Sequence, residues 1–597
     1  MTIRATRATR GPRRRTVVAL AVILAVLAAF VVRLVDIQVV SAQEHVQDSL
    51  KVGQLGSTQT LAGNRGAIVD SEGTVLAESV TVYDAQLSPS LIMHLENDED
   101  DPPETPWHDA ADEIAAITGQ DADELRSGVA ENLKEDPNSQ YYPLKRGLST
   151  EKYLKLRDLG YVYLAMKPRE TRVYPNGAVA GNVVGYIDSE GKGQAGIERL
   201  EASCLAPTNG ERTYLRGKGG QIIPGSERVV DALDGGSVQL TLNSDLNWYL
   251  QQMLAEEAQK QGARAATAMV VEVKTGKIRG AAEWPSMDPN NLNASNPEDW
   301  GTRVFGLSYE PGSTFKAITA ATVLETGAAD LNDTVTAASR EEFPNGAIVN
   351  DAFVHGAYNY TLAGALIDSS NVAASKFGSK VDAQTRYEYL QKFGVGERTI
   401  DFPREASGIL HPADEWDSQS LYTTTFGQHF TVTAPQLAGA YQAIANGGEK
   451  IDLSLIESCT LDDGTVVKPD APEHTQVVSE QTADQVSRIL ENVAVQGSLA
   501  EQVSIPGYRV AIKTGTAQKP KEDGSGYKAG KYYTSMVGFA PADDPEYVVI
   551  VTLDEPTRIV SSAATAPAFQ QAMNQVLKTY RVAPSTAPMD ELLPKFN

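Results

Sequence analysis

The chain reads as an α+β protein: a single N-terminal transmembrane helix, a first region of mixed α/β character, and a second domain built on an antiparallel sheet flanked by helices with a helical subdomain. Three observations predict this. Residues 16–32 form an almost unbroken apolar run behind a cluster of arginines. Residues 41–235 mix glycine-punctuated strand signals with amphipathic helices. Strand-like runs near 268–282 and beyond 508 then bracket a mostly helical stretch. A length of 597 residues suits two or three domains.

At the N-terminus, Arg4, Arg7, Arg10, Arg13, Arg14 and Arg15 occur with no acidic residue, so residues 1–15 read as a basic tail and 16–35 as the anchor. The apolar run spans ~26 Å as a helix, near the lower limit for crossing a bilayer, and Leu34, Val35 and Ile37 extend it. A cleaved signal peptide is the competing reading. Arg33 and Asp36 stand where a small-x-small cleavage site belongs, which favours a retained anchor. The arginines hold the tail in the cytoplasm and send the rest outside.

With 52 basic and 77 acidic side chains the formal net charge is −25, and the exported part is more acidic still. That balance excludes nucleic acid as a partner. The acidic run at 96–101 reads as a solvated loop. The seven histidines show no metal-ligand spacing, so neither a metal site nor any other cofactor is expected. Cys204 and Cys459 both fall on the exported side, where a bridge is permitted. Sequence alone does not bring residues so far apart within reach, and two free thiols remain the alternative.

In the first region, 66–70 and 73–76 read as strands, and 107–117 and 150–159 as helices. The second domain, 236–580, opens with a strand at 238–242 and a helix at 245–261 capped by Ser244. Two strands follow, joined at Lys274-Thr275-Gly276. Helices are expected at 361–377 and 432–446, the latter stopped by Gly447-Gly448. Strands at 508–512, 534–539 and 547–553 precede a closing helix at 567–580, and 581–597 reads as a tail.

Three strings carry the chemistry: Ser313-Thr314-Phe315-Lys316, Ser369-Ser370-Asn371 and Lys513-Thr514-Gly515-Thr516. In that order they match the S-x-x-K, S-x-N and K-T-G elements of serine enzymes acting on D-Ala-D-Ala amides and β-lactams. Each string alone is cheap. S-x-x-K recurs at Ser149 and Ser525, and K-T-G at Lys274. Context separates them: Ser313 follows Pro311-Gly312 and opens an apolar helical run, whereas Ser149 reads as an N-cap, Ser525 sits in a glycine-rich loop, and Lys274 starts a hairpin turn.

With these motifs the chain resembles the class B penicillin-binding proteins, and within them the division-type peptidoglycan D,D-transpeptidases of actinobacteria. The likeness also rests on Arg33-Leu34-Val35-Asp36-Ile37-Gln38, on Arg65-Gly66-x-Ile68-x-Asp70 with Gly73, and on Arg172-x-Tyr174-Pro175-x-Gly177. Further matches are Gly196-Ile197-Glu198, Trp284-Pro285-Ser286 with Asp288-Pro289-Asn290, and Phe426-Gly427-Gln428 with Asn446-Gly447-Gly448. Departures are Ser71 where relatives often carry arginine, His429 where glycine is common, and a long polar loop at 518–531.

The resemblance implies that 41–235 is a non-catalytic dimerisation-type pedestal and that 236–580 is the penicillin-binding transpeptidase domain. Partners implied are peptidoglycan stem peptides derived from lipid II, β-lactams, the membrane through the N-terminal helix, a polytopic glycosyltransferase of the SEDS type, and divisome proteins. Acyl transfer needs a nucleophile, a base, a proton relay and a carboxylate anchor. Ser313 fits the nucleophile and Lys316 the base, provided burial and a neighbouring cation such as Lys513 depress its pKa. Ser369 suits the relay to the leaving amine, and Asn371 suits holding the substrate amide and Lys316. Lys513, Thr514 and Thr516 suit the carboxylate, with Gly515 allowing close approach. In the family, the backbone N–H groups at Ser313 and Thr516 form the oxyanion hole. A carboxypeptidase or β-lactamase using the same motifs, and a penicillin-binding scaffold without turnover, are the alternative functions.

Overall fold

The computed structural model describes residues 11–36, 57–98, 100–216, 222–521, 523 and 526–597. The basic tail up to residue 10, Ile37, Gln38 and Ser525 lie outside the described residues. One helix spans Gly11–Val35. Its stretch Val17–Val35 is long and apolar enough to cross a membrane, and none of it is buried. In a helix every interior backbone donor is satisfied internally, which is what a hydrocarbon environment demands. Two compact units account for the chain: residues 1–63 with 207–234, and 64–206 with 235–597. In the first, Ser57–Leu61 pairs antiparallel with Gly210–Tyr214, which also pairs with Arg228–Val230.

The second unit contains two large sheets. One runs in the order Val466–Val467, Ile456–Thr460, Ser237–Leu240, Ile68–Val69, Val75–Leu87, Tyr142–Leu148, with Leu164–Val173 also on Val75–Leu87. Val238 is its keystone: it pairs parallel with Ile68 and antiparallel with Cys459. This sheet therefore passes through residue 236, joining pedestal strands to strands of the following region. A disulfide between Cys204 and Cys459 closes the same place, which decides the question the sequence left open. Gly236 makes room for it, since a Cβ there would stand 3.1 Å from one sulfur and 3.2 Å from the other.

Several residues quoted for the family resemblance meet in one buried cluster. Glu198 is fully buried and accepts from Arg65 Nε at 2.5 Å and Arg172 Nε at 2.7 Å, with the Tyr174 hydroxyl at 3.3 Å. One carboxylate thus neutralises two desolvated guanidiniums, and removing it leaves both without their counter-ion. Ser149 accepts from Lys152 N as a helix cap, and Gly276 (φ +67°) turns the hairpin at Lys274-Thr275-Gly276. Both decoys have structural jobs.

The other sheet is fully antiparallel, in the order Ile278–Trp284, Ala265–Glu272, Tyr547–Asp554, Tyr527–Ala540, Ala511–Pro520. The helices Ser244–Gln261 and Ala566–Thr579 pack on it and on each other. Ala434–Ala445 and Glu480–Gln496 form a second packed pair against it. Buried aliphatic and aromatic side chains, among them Leu250, Val270, Met536, Ile550 and Phe569, fill the space between.

Two sequence expectations need correction here. Much of the loop expected at 518–531 is strand, with Pro520 pairing with Tyr527. Lys519 anchors it through Asp554 at 2.6 Å and Glu555 at 3.0 Å. Residues 581–597 are also not a loose tail. Leu593 N donates to Asn492 Oδ1, Lys595 O accepts from Thr361 N, and Phe596 bridges to Tyr360. Backbone pairing of this kind leaves no apolar periodicity to read, so composition alone pointed the wrong way.

Candidate active site

The first motif lies on a turn of 3-10 helix, Gly312–Phe315, that runs directly into the α-helix Lys316–Glu325. At three residues per turn, positions i and i+3 eclipse, so Ser313 and Lys316 lie one above the other. The turn is clamped. Gly312, with φ +57°, donates its N–H to Gly427 O at 2.9 Å, and a Cβ on Gly427 would come within 2.1 Å of Gly312 O. Thr314 donates to Pro311 O, while the buried Tyr441 hydroxyl donates to Thr314 O at 2.7 Å.

The helix expected across 361–377 is broken at its middle. Leu362–Ile367 ends, Ser369 takes φ +55°, and Asn371–Gly378 begins with Ser370 as its N-cap. A left-handed serine is an uncommon, strained conformation that surrounding contacts must hold in place. The break swings the Ser369 hydroxyl toward the two lysines.

The third motif lies on the edge strand Ala511–Pro520, whose only strand partner among the described residues is Tyr527–Ala540. Gly515 lets that strand lie against the serine turn: a Cβ there would meet Ser535 Oγ at 2.3 Å and Pro311 O at 3.0 Å. Thr516 Oγ1 accepts from Ser562 N at 3.0 Å, which ties the strand to the segment after the last strand of the sheet.

The three motifs converge on one hydroxyl. Lys316 Nζ donates to Ser369 Oγ at 3.2 Å and also to Ser369 O, and Lys513 Nζ donates to Ser369 Oγ at 3.0 Å. Both lysines are fully buried. Burial pushes the Lys316 ammonium well below the usual lysine range, the Lys513 charge pushes it further, and Asp351 opposes both. Burial alone brings Lys513 down to about 7. Above the lysines lies a cleft of about 560 Å³ lined by Ser313, Ser369, Asn371, Thr514, Thr516 and Ser562.

One expected contact is different. The Asn371 carboxamide donates to Asn350 O at 2.9 Å, and Lys316 Nζ donates to Ser369 instead. Asn371 keeps its place on the cleft wall. Sequence reasoning also missed Asp351 and His355. Asp351 Oδ2 accepts from Ser370 Oγ at 2.7 Å and meets His355 Nε2 at 2.8 Å, while Oδ1 accepts from Val372 N. The i,i+4 spacing of Asp351 and His355 was the available signal, but no periodic element carries it: 352–357 is irregular chain.

Comparisons with known proteins agree on one family. The model of the penicillin binding protein transpeptidase domain matches residues 266–574, and that of the penicillin-binding protein dimerisation domain matches 60–240. Penicillin-binding protein PbpB of Mycolicibacterium smegmatis is 31% identical over 596 residues, covering 95% of this chain and 90% of that protein. Peptidoglycan D,D-transpeptidase FtsI of Escherichia coli is 28% identical, covering 94% and 91% respectively. The crystal structure of penicillin binding protein 3 from Mycobacterium tuberculosis complexed with aztreonam superposes with a TM-score of 0.69 at 25% identity, covering 90% of this chain and all of that one.

Proposed function

The chain belongs to the class B penicillin-binding proteins, and from that membership we propose that it is a serine-type peptidoglycan D,D-transpeptidase of cell division, inhibited covalently by β-lactams. The observation that carries the reading is the Ser369 hydroxyl held between Lys316 and Lys513, at a cleft that Ser313 also lines.

Ser313 Oγ attacks the penultimate D-Ala carbonyl of a stem pentapeptide, and its proton passes to Lys316. A lysine at its ordinary pKa near 10.4 would be charged and useless as a base at neutral pH. The buried Lys316 is shifted in the direction the step requires. The carbonyl oxygen gains negative charge against the N–H groups of Ser313 and Thr516; losing one such donor costs about 3 kcal/mol. Ser369 relays the proton to the departing D-Ala amine. The amine of a second stem peptide then attacks the acyl-enzyme, restoring Ser313 and making the cross-link.

Lys513 anchors the terminal carboxylate of the donor, with Thr514 and Thr516. Held at about 7 by burial, Lys513 regains its proton when a carboxylate arrives, because an opposite charge favours the charged form. Transfer to an amine rather than to water is supported by the state of the nearby carboxylates. Asp351 is engaged by Ser370, Val372 and His355, and Asp368 is paired with Lys595.

The same reading places the arginine-rich tail in the cytoplasm, the catalytic unit outside, and a SEDS-type glycosyltransferase and divisome proteins beside the anchor. Septal position of a fluorescent fusion and exclusion of an external thiol reagent from a cysteine placed in the tail test those parts. For the chemistry, covalent uptake of fluorescent penicillin by the protein and by Ser313→Ala is decisive; labelling of the variant overturns the assignment. A donor–acceptor peptide pair yielding free tetrapeptide without cross-linked product would make it a carboxypeptidase.

A further inference from the structure

The last residues of the chain lie across the helix that leads into Ser369. Thr361, the N-cap of Leu362–Ile367, donates its hydroxyl to Pro594 O at 2.6 Å and its N–H to Lys595 O at 3.1 Å. Gly364 lies directly beneath: a Cβ there would stand 1.9 Å from Lys595 O. Upstream, Leu593 is held from both sides of its peptide, by Asn492 Oδ1 and Gln496 Nε2. Downstream, Asn597 N donates to Asn359 O at 3.1 Å.

From this strap two separate routes reach the turn at 368–371. Lys595 Nζ pairs with Asp368 Oδ1 at 2.8 Å, one residue before Ser369. The Phe596 ring packs on Tyr358 and Tyr360, with centroids 4.9 and 5.0 Å away. Tyr358 in turn stacks on His355, with 5.4 Å between centroids and an 8° interplanar angle. His355 meets Asp351, and Asp351 holds Ser370 and Val372, the two residues after the turn's serine and asparagine respectively are thereby fixed on its far side.

We propose that residues 593–597 form a positioning strap for Ser369, fixing its left-handed turn from the Asp368 side through Lys595 and from the Ser370 side through Phe596, Tyr358, His355 and Asp351. A serine at positive φ does not hold itself there. The strap touches neither substrate nor Ser313; it acts through where the Ser369 oxygen stands relative to Lys316 and Lys513. A displacement of about 1 Å at such a relay costs on the order of 100-fold in rate, so a partial loosening is read most directly in the acylation step. The inference rests on the proposed roles of Ser313 and Ser369.

The test is the first-order rate constant for covalent labelling by a fluorescent penicillin at saturating concentration, a per-site quantity that misfolded molecules lower in amplitude but not in rate. Lys595→Ala, Phe596→Ala and removal of residues 594–597 are each expected to lower it about 10-fold or more while the pre-covalent dissociation constant stays within about twofold. Gly364→Ala, a favourable change for an isolated helix, is expected to lower it too because it displaces Lys595 O. The exchange Asp368→Lys with Lys595→Asp is expected to recover part of the loss. Rate constants within about twofold of wild type in the truncated and Gly364→Ala proteins overturn the strap. Failure of the wild type to label through Ser313 overturns instead the functional reading on which it rests.

Discussion

Lys316 and Lys513 are both fully buried and both donate to the same oxygen, Ser369 Oγ, at 3.2 and 3.0 Å. Two ammonium groups that share one acceptor in a desolvated place do not both stay charged at little cost. The fold maintains this repulsion from two distant parts of the sequence, a helix start and an edge strand, and the pair supplies a neutral amine next to a cation-ready one.

The pH dependence of acylation follows from that pairing. With Lys316 as the proposed base, the rate is expected to rise as Lys316 loses its proton, and Lys316 is shifted down by burial, then by Lys513, and up by Asp351. Lys513→Ala removes the neighbouring charge, so the ascending limb moves to higher pH and the plateau falls. Asp351→Asn removes the opposing charge, so the limb moves to lower pH. Penicillin acylation rates measured across pH for the three proteins check both directions; a limb that stays in place in both variants contradicts the coupling.

Stability carries the opposite mark of the same site. Lys513 sits at about 7 when folded, against about 10.4 unfolded. Below about 7 both states hold the proton and the folded state bears the full cost of burying it. Between those values only the unfolded chain holds it, so the contribution of this residue to stability climbs with pH. Lys513→Met is expected to raise the unfolding free energy, measured by urea titration, by on the order of 2 kcal/mol near neutral pH, most at low pH, while abolishing acylation.

The cluster around Glu198, none of whose members lines the cleft, gives a separate test. Glu198→Ala leaves Arg65 and Arg172 buried without their shared carboxylate and is expected to cost about 3–5 kcal/mol. Chemical denaturation measures it. The per-site acylation constant of the protein that remains folded is expected to be unchanged.

Reduction offers a further measurement. The Cys204–Cys459 bridge closes a loop with a separation of 255 residues. Its loss, by dithiothreitol or by Cys459→Ser with Cys204→Ser, is expected to lower stability by about 2–5 kcal/mol. A faster-moving band without reductant on denaturing gels reports the bridge itself.

Much of the site was legible because its chemistry is written in short strings. Ser313 and Lys316 are three apart, Ser369 and Asn371 two apart, and Lys513 to Thr516 are contiguous, so local spacing already orients each set. The parts that escaped depend on tertiary closure. Ser369 looks like a helix-interior residue until Ser370 is seen capping a new helix against Asp351. Asp351 and His355 lie in irregular chain, and their partners come from 358–372 through contacts that no periodicity announces. The edges of residues 593–597 are read by backbone hydrogen bonds, to which side-chain composition is blind. The cysteines were visible from the start, but only the register of Cys459 against Val238 brings them together.

The sheet through Val238 has a practical and an evolutionary corollary. A soluble fragment begun at residue 236 would strip Ser237–Leu240 of its Ile68–Val69 neighbour, bare a strand edge prone to association, and leave Cys459 as an orphan thiol. The border that sequence families draw between the two modules is therefore not a perforation along which the molecule tears. A displacement of Ile68–Val69 is passed straight to Ser237–Leu240 through the backbone hydrogen bonds of one sheet, and the Cys204–Cys459 bridge bolts the same seam.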